Sequence, residues 1–175
     1  MHDAQVRGAL VRLAGEEDLE PLGAACAREG APRPPEQLER YLSEQRAGLR
    51  LFLLALRVGA PAGYLTVSWE ADHPPFRREG IPEIHDLYVL PSARRAGIAT
   101  LLLEEAEAHA VRRSDFLGLA VGLYSAYGPA HRLYAERGYL PDATGATAGG
   151  RTLLGGETVS VDDTLVLHLL KPLRR

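Results

Sequence analysis

The segment VLPSARRAGIATLLLEEAEAH, residues 89–109, constrains the fold of this chain more than any other stretch. A strand is predicted at residues 83–90, EIHDLYVL, which overlap the start of this segment, and Pro91 ends it. Later in the segment the apolar residues recur at helical spacing from Ile98, which predicts a helix over residues 98–113. A period of two therefore changes to a period of about 3.6 residues across one short loop. Such a change is typical of a strand, loop and helix unit.

Around this unit the hydrophobic pattern and the turn residues predict the element order β, α, α, β, β, β, α, β, α, β, β. The predicted strands cover residues 9–13, 49–58, 61–69, 83–90, 118–124 and 164–170, with a further strand that begins at 139–141. The predicted helices cover residues 16–28, 36–46, 98–113 and 129–137. Residues 71–82 are predicted to be a polar, proline-bearing loop, and 144–156 a loop or a loosely held hairpin.

Composition limits the class of protein but not its function. The chain has 175 residues, of which 46% are hydrophobic and 25% charged, so we expect one soluble globular domain over residues 1–175. The single cysteine, Cys26, excludes an intramolecular disulfide and CxxC motifs, and it favours a reducing, cytoplasmic setting. No apolar run approaches the ~18 residues that span a bilayer, so no membrane partner is expected. A net charge of -3 does not suggest general nucleic-acid binding.

The loop between the predicted strand and helix has the residues of an anion site. Arg94 and Arg95 precede Gly97 and Ala99, which are small residues at the start of the helix. The first N–H groups of a helix lack intrahelical acceptors and lie at the positive end of its dipole, so they can bind a phosphate that small side chains allow to approach. Two neighbouring arginines add charge-assisted donors. On spacing alone, a helix start with solvated arginines remains the alternative.

With its surroundings, this loop resembles the acyl-CoA-binding motif of the GNAT family of acetyltransferases. That motif is Arg or Gln, two residues, Gly, one residue and then Gly or Ala, after a strand that ends in V-x-P. Here it reads Val89-Leu90-Pro91 and then Arg94-Arg95-Ala96-Gly97-Ile98-Ala99. A second family motif, Asn-x-x-Ala-x-x-x-Tyr before Gly-Phe or Gly-Tyr, is similar to the stretch that contains Tyr127, Ala130, Tyr134, Gly138 and Tyr139. The chain departs from that motif at Tyr127, where the family usually has Asn.

The resemblance implies a mixed α/β (α+β) fold of the GNAT type. Its central sheet would be mixed and mostly antiparallel, flanked by helices, and splayed between its fourth and fifth strands, 83–90 and 118–124. Acetyl-CoA would enter that splay as a co-substrate. Relatives in this family are often dimers, so a homodimer is an open expectation.

The resemblance also implies which groups hold acetyl-CoA. The amides of residues 95–100 would bind its pyrophosphate, and the backbone of Leu87, Tyr88 and Val89 would pair with the pantetheine arm as an extra strand. The physical reason is independent of the family, because an unpaired strand edge can satisfy the two amides of an extended pantetheine chain. The residues expected to bind acetyl-CoA are Leu87, Tyr88, Val89, Arg94, Arg95, Ala96, Gly97, Ile98, Ala99, Thr100, Tyr127 and Ala130.

Two residues are candidates for a general base. An amine acceptor with a pKa near ~10 is mostly ammonium at neutral pH, so a proton must leave before its nitrogen attacks the thioester. Glu83 and His85 lie two residues apart on one face of the predicted strand, and Asp86 faces the other way unless a bulge intervenes. GNAT members commonly carry the base, or a residue that holds a water, at matching positions. The alternatives are an exposed strand end for Glu83 and a hydrogen-bonded strand residue for His85.

Tyr134 is the candidate for the proton donor to the departing thiolate. A phenol can supply a proton or a hydrogen bond, and the matching GNAT position is often the general acid. The alternative is an aromatic residue that packs its ring inward. The N–H of Val89 is expected to donate a hydrogen bond to the carbonyl oxygen of the thioester as that oxygen gains negative charge.

The remaining motifs are uninformative. The histidines have no HExxH or Cys/His ligand spacing, so no metal is expected. GxSxG, P-loop and GxGxxG signatures are missing, which argues against a serine hydrolase, a P-loop kinase and a dinucleotide oxidoreductase.

The sequence therefore predicts an acetyl-CoA-dependent N-acetyltransferase that acts on a primary amine of a small molecule or peptide. The alternatives are a non-catalytic acyl-CoA-binding regulatory module and an enzyme that modifies proteins or aminoacyl-tRNA. The resemblance implies that the acceptor lies among the loops 28–35, 71–82 and 142–163, and we expect His73, Phe76, Arg77 and Arg78 to line its site.

Overall fold

A computed structural model describes residues 4–6 and 8–174, in which helices cover a central sheet. Its strands are β1 (Ala4–Val6), β2 (Ala9–Leu13), β3 (Arg50–Arg57), β4 (Ala60–Ser68), β5 (Glu83–Val89), β6 (Phe116–Gly122), β7 (Leu140–Ala148), β8 (Arg151–Thr152) and β9 (Leu165–Pro172). Its helices are α1 (Leu19–Arg28), α2 (Pro35–Arg46), α3 (Pro74–Glu79), α4 (Ile98–Ala110) and α5 (Gly128–Glu136).

The strands form one sheet in the order β1-β2-β3-β4-β5-β6-β9-β7-β8. Every neighbouring pair is antiparallel except β5 and β6, which are parallel. That parallel pairing covers only two residue pairs, Glu83 with Gly118 and Ile84 with Leu119. The expected fold class, a mixed and mostly antiparallel sheet splayed between these two strands, is confirmed.

The core forms around the two most apolar strands. Residues 51–55 of β3 are all buried, and consecutive strand residues point to opposite faces, so both faces of the sheet are covered there. Helices α1, α2 and α4 pack against β3 and β4 and supply that cover. Phe52 of β3 meets Tyr41 of α2 edge-on, with ring centroids 5.7 Å apart. Because both faces are covered, the sequences of these strands are continuous apolar runs and do not alternate between apolar and polar residues.

The prediction of a loop over residues 71–82 is wrong in part, because α3 lies within it. Pro74 and Pro75 occupy the first turn of α3, where the N–H groups that proline lacks would have no intrahelical partner. Gly80 ends the helix in the left-handed conformation, with φ 66°. Prolines that indicated a loop therefore begin a short helix.

Other boundaries differ by a few residues. Helix α4 ends at Ala110 rather than at residue 113, and β6 begins at Phe116 rather than at 118. The strand that was predicted to begin at 139–141 runs on to Ala148 and forms a hairpin with β8, so the hairpin alternative for residues 144–156 is the correct one. Strand β1 was not predicted.

Strand β5 contains a bulge next to the splay. Thr66 of β4 faces His85, and Tyr64 faces Tyr88, so the single residue Leu65 lies opposite both Asp86 and Leu87. Asp86 has φ 54°, a left-handed conformation that is uncommon outside glycine. The bulge changes which edge of β5 each later residue faces.

Candidate active site

The splay between β5 and β6 opens into a cleft of about 770 Å³. Beyond Ile84 and Leu119 the two strands no longer pair, so one edge of β5 faces this space. The cleft is lined by Leu87, Tyr88, Val89, Ala93, Arg94, Arg95, Gly97, Ile98, Ala99, Thr100, Ala120, Val121, Ala126, Tyr127, Pro129, Ala130, Leu133 and Tyr134. Every residue that the sequence predicted to bind acetyl-CoA is among them except Ala96, which packs against the core.

The start of α4 has the geometry of an anion site. Arg95 has φ 63° and Gly97 has φ 80° with ψ 6°, so two left-handed residues occur within three positions. Turns with left-handed residues gather successive N–H groups into a concave surface that binds anions. A Cβ added at Gly97 would meet no atom within 4 Å, so glycine is needed there for its backbone conformation and not to avoid a clash. The N–H groups of the first α4 turn add to the same surface.

The Val89 peptide faces the cleft. The Leu90 N–H donates to the Ala62 carbonyl on β4 at 2.9 Å. In an antiparallel ladder successive residues bond to opposite sides, so the N–H and carbonyl of Val89 face away from β4. The Nε of Arg94 donates to the Val89 carbonyl at 3.3 Å, which agrees with that direction.

Glu83 lies at the closed end of the splay and does not line the cleft. Its side chain is buried, and its Oε2 accepts the backbone N–H groups of Asp72 at 2.9 Å and His73 at 3.2 Å. Burial alone would raise the pKa of Glu83, but the hydrogen bond and charge of His85 and the His73 N–H lower it overall. The Oε2 of Glu83 is therefore already engaged by two backbone N–H groups.

His85 is the first residue of β5 beyond its last pairing with β6, two positions before Leu87, where the lining of the cleft begins. Its Nε2 is 3.4 Å from Glu83 Oε2 and 3.7 Å from Asp72 Oδ2. Its side chain is 23% exposed, compared with 4% for Glu83. The two nearby carboxylates favour the neutral tautomer that has its proton on Nε2 and its lone pair on Nδ1.

A buried group of polar side chains supports the loop that binds Glu83. The rings of His73 and His168 stack with centroids 3.5 Å apart, and His73 Nε2 lies 2.8 Å from Asp142 Oδ2. Burial and the charge of His73 lower the pKa of His168, whose Nδ1 is buried without a hydrogen-bond partner among the described residues. Sequence reasoning missed this group, because its members come from three separate parts of the chain.

The acceptor expectations are corrected for two residues. His73 and Phe76 are buried, at 6% and 2% exposure, so they do not present a surface to an acceptor. Phe76 instead covers Gly118, where an added Cβ would lie 2.2 Å from its ring. Arg77 and Arg78 are exposed, and Arg77 donates to the carbonyls of Ala71 and Asp72.

Tyr134 lines the cleft and is largely buried. Burial raises the pKa of Tyr134 to about 12, so its hydroxyl stays protonated at neutral pH. Its ring meets that of Tyr139 edge-on, with centroids 5.9 Å apart. The side chain therefore packs inward and also offers a hydroxyl donor, so the two alternatives for Tyr134 are compatible.

Tyr127 makes contacts that an Asn side chain is too short to copy. Its hydroxyl donates to Asp163 Oδ1 at 2.9 Å, and Tyr124 donates to the same oxygen. Its ring lies over Gly122, where an added Cβ would be 2.3 Å from Cε2. Tyr127 thus connects the start of α5 with the turn before β9.

The described residues include neither a membrane-spanning helix nor a cluster of metal ligands. No helix there is long and apolar enough to cross a membrane. In the same residues, no group of three or more His, Cys, Asp or Glu side chains is arranged to hold a metal ion.

Comparison with protein families and curated sequences gives one match. A family model described as "Acetyltransferase (GNAT) family" matches residues 12–139. Curated protein sequences give no significant match.

Solved structures with the same fold include several acetyltransferases. A ribosomal-protein-alanine N-acetyltransferase from Brucella melitensis has a TM-score of 0.69 at 24% identity, covering 93% of this chain and 99% of that one. A protein from Salmonella typhimurium, assigned as an acetyltransferase and solved with acetyl-CoA, has a TM-score of 0.66 at 18% identity, covering 96% and 95%. A spermidine N-acetyltransferase chimera that includes Vibrio cholerae sequence has a TM-score of 0.67 at 14% identity, covering 95% and 96%. These similarities establish a shared fold.

Proposed function

Because the chain belongs to the GNAT family of acetyltransferases, we propose that it transfers an acetyl group from acetyl-CoA directly to the primary amine of a small molecule or peptide. Acetyl-CoA supplies an acetyl group that is already activated as a thioester. The residues of the chain need only hold it, orient the acceptor and move protons.

One observation carries the proposal: the unpaired edge of β5 and the anion site at the start of α4 line the same cleft. Acetyl-CoA has an extended arm with two amides next to a diphosphate. The β5 edge, including the Val89 peptide, suits the arm, and the turn from Arg94 to Gly97 suits the diphosphate. The open space beside Gly97 leaves its backbone accessible to a ligand.

We assign the general base to His85 and a positioning role to Glu83. His85 is partly exposed and follows the last β5–β6 pair, and in the tautomer favoured by Glu83 its Nδ1 would accept a proton from the acceptor ammonium, directly or through a water. Glu83 is a poor base because it is buried and its Oε2 is held by two N–H groups. Its carboxylate instead orients the ring of His85, as the acidic partner of a catalytic histidine commonly does.

Two groups in the cleft are assigned to the charges that develop during transfer. The Val89 N–H points into the cleft and would donate to the carbonyl oxygen as it gains negative charge. Tyr134 would donate a hydrogen bond to the departing sulfur. A phenol with a pKa of about 12 is a weaker acid than a thiol, whose ordinary pKa is about 8.5, so a hydrogen bond is favoured over full proton transfer.

The test measures thiol release from acetyl-CoA with a panel of acceptors and, separately, the binding of coenzyme A. The panel includes spermidine and a peptide with an N-terminal alanine. Two proteins with this fold are named as a spermidine N-acetyltransferase and a ribosomal-protein-alanine N-acetyltransferase. We expect coenzyme A to bind and at least one amine to speed thiol release above the hydrolysis rate. Binding without turnover on any amine, peptide or protein would favour the acyl-CoA-binding module, and no binding would contradict the proposal.

A further inference from the structure

We propose that Asp86 is a positioning residue of the cleft. Hydrogen bonds from Gln37, Tyr41 and Tyr64, which we call the Asp86 clamp, hold its carboxylate. The clamp in turn holds the bulge that turns the Val89 peptide toward the ligand. This inference rests on the proposed function, because the shape of the β5 edge matters only if that edge binds the pantetheine arm. Asp86 acts through the backbone of β5 and not on the reacting atoms.

The carboxylate of Asp86 is held by several donors from outside its own strand. Its Oδ2 accepts the hydroxyl of Tyr64 at 2.7 Å, the hydroxyl of Tyr41 at 3.0 Å and the Nε2 of Gln37 at 3.1 Å. Arg33 Nη2 lies 4.0 Å from its Oδ1. These donors come from β4, from α2 and from the segment that joins α1 to α2.

The hydrogen bonds of this clamp all point toward Asp86. Arg33 Nε donates to the Tyr64 hydroxyl at 2.6 Å, and Gln37 Nε2 donates to the Tyr41 hydroxyl at 2.7 Å. Each hydroxyl therefore has its oxygen occupied and its own proton left for Asp86. Tyr64 is fully buried, and burial together with the charge of Asp86 raises its pKa, so its hydroxyl remains a donor.

The clamp acts on the one residue of β5 that needs external support. With φ 54°, the backbone of Asp86 is in a conformation that L-residues rarely adopt. A bulge also leaves its extra residue without a partner in the ladder. The side-chain bonds to Oδ2 supply the attachment that the backbone lacks.

The position of Asp86 decides which way the later residues face. Upstream of the bulge, His85 is in register with Thr66; downstream, Tyr88 is in register with Tyr64. One residue fewer between those pairs would reverse the edge to which each later peptide points. The Val89 N–H would then face β4 instead of the cleft. A carboxylate that fixes the bulge therefore fixes the β5 edge that the ligand meets.

The experiment separates the β5 edge from the anion site by using two ligands. Coenzyme A needs both, whereas ADP has a diphosphate but no pantetheine arm. The variant Asp86→Gly removes the carboxylate and leaves a residue that adopts the left-handed conformation readily. We expect its Kd for coenzyme A, measured by calorimetry, to rise about tenfold while its Kd for ADP changes less than about twofold. Asp86→Asn keeps an acceptor oxygen and should restore most of the coenzyme A affinity.

The control is Val58→Gly, at a residue with φ 51° in the turn between β3 and β4, which should change neither Kd. If Asp86→Gly does not fold, the double variant Tyr41→Phe with Tyr64→Phe removes two donors while it keeps both rings, and it should produce the same selective loss. Unchanged coenzyme A binding would overturn the inference. So would equal weakening of both ligands, or a rise confined to the KM of the acceptor. Failure of the wild-type protein to bind coenzyme A would instead contradict the proposed function.

Discussion

At the scale of single residues, Glu83 and His85 differ in environment although they lie two positions apart on β5. Glu83 is buried and accepts two backbone N–H groups, whereas His85 is partly exposed just past the last β5–β6 pair. These environments support the proposed division of roles, with Glu83 as the positioning carboxylate and His85 as the base. Alternation along the strand predicted the shared face, but only the packed loop at Asp72 and His73 separates the two roles.

The base assignment predicts the behaviour of His85→Ala. We expect kcat to fall about a hundredfold at neutral pH, with little change in the KM for acetyl-CoA. The loss should shrink as pH rises, because an amine acceptor with a pKa near ~10 then loses its own proton. The control is His109→Ala, at a histidine on α4 that pairs with Glu105 at 3.3 Å. A loss of equal size at every pH would contradict the base role.

Tyr134→Phe tests the donor assignment at the second residue. Removing the hydroxyl should lower kcat about tenfold while coenzyme A binds as before, because the ring still fills its site. Tyr139→Phe is the matched control: that tyrosine is also buried, but its hydroxyl donates to Glu107 at 3.1 Å. It should reduce stability and leave kcat unchanged. An unaltered kcat in Tyr134→Phe would remove the residue from the mechanism.

At the scale of elements, the start of α4 depends on its left-handed glycine. Gly97→Ala forces an L-residue to φ 80° without creating a clash, at a cost of about 1 kcal/mol in the free energy of unfolding. Gly59→Ala, at φ 76° in the turn between β3 and β4, should cost about the same. Only Gly97→Ala should also weaken coenzyme A and ADP binding, as measured by calorimetry. Equal binding by the two variants would show that the turn does not hold the diphosphate.

Elements with a strong periodic pattern were predictable from the sequence. The unit from β5 to α4 and the apolar strands β3 and β4 follow from the hydrophobic period and the turn residues alone. The short helix α3 was missed because Pro74 and Pro75 fit both a loop and a first helical turn. The bulge at Asp86 stayed an open alternative in the sequence, since the donors that hold Asp86 come from α2 and β4, which are distant along the chain.

At the scale of the whole molecule, buried titratable groups make stability depend on pH. The pKa of His168 is lowered from its ordinary value of 6.5 in the folded chain. Just below pH 6.5, His168 therefore binds more protons in the unfolded chain than in the folded chain. The free energy of unfolding should therefore fall as the pH drops below about 6.5. It should fall again below about 4.5, because Glu83 and Asp142 have lowered pKa values in the folded chain and become protonated more readily in the unfolded chain.

The variant His168→Phe isolates the first stage. An aromatic ring can still stack on His73, but it no longer titrates. In urea unfolding between about pH 7 and pH 5, we expect the variant to lose less stability than the wild-type protein. Below about pH 4.5 the two should decline alike. If the free energies of unfolding of the two proteins fall in parallel between about pH 7 and pH 5, the role given to His168 is contradicted.

The brief pairing of β5 with β6 divides the sheet into two slabs. In the described residues, the slab of β1 to β5 meets the slab of β6 to β9 through two residue pairs and the bond from the Gly118 N–H to the Pro82 carbonyl. Further contacts at the same end, such as Phe76 on Gly118 and the His73–His168 stack, reinforce this junction. His85 is the first residue of β5 past this junction. A ligand that enters between β5 and β6 beyond the junction therefore has no strand pair to break.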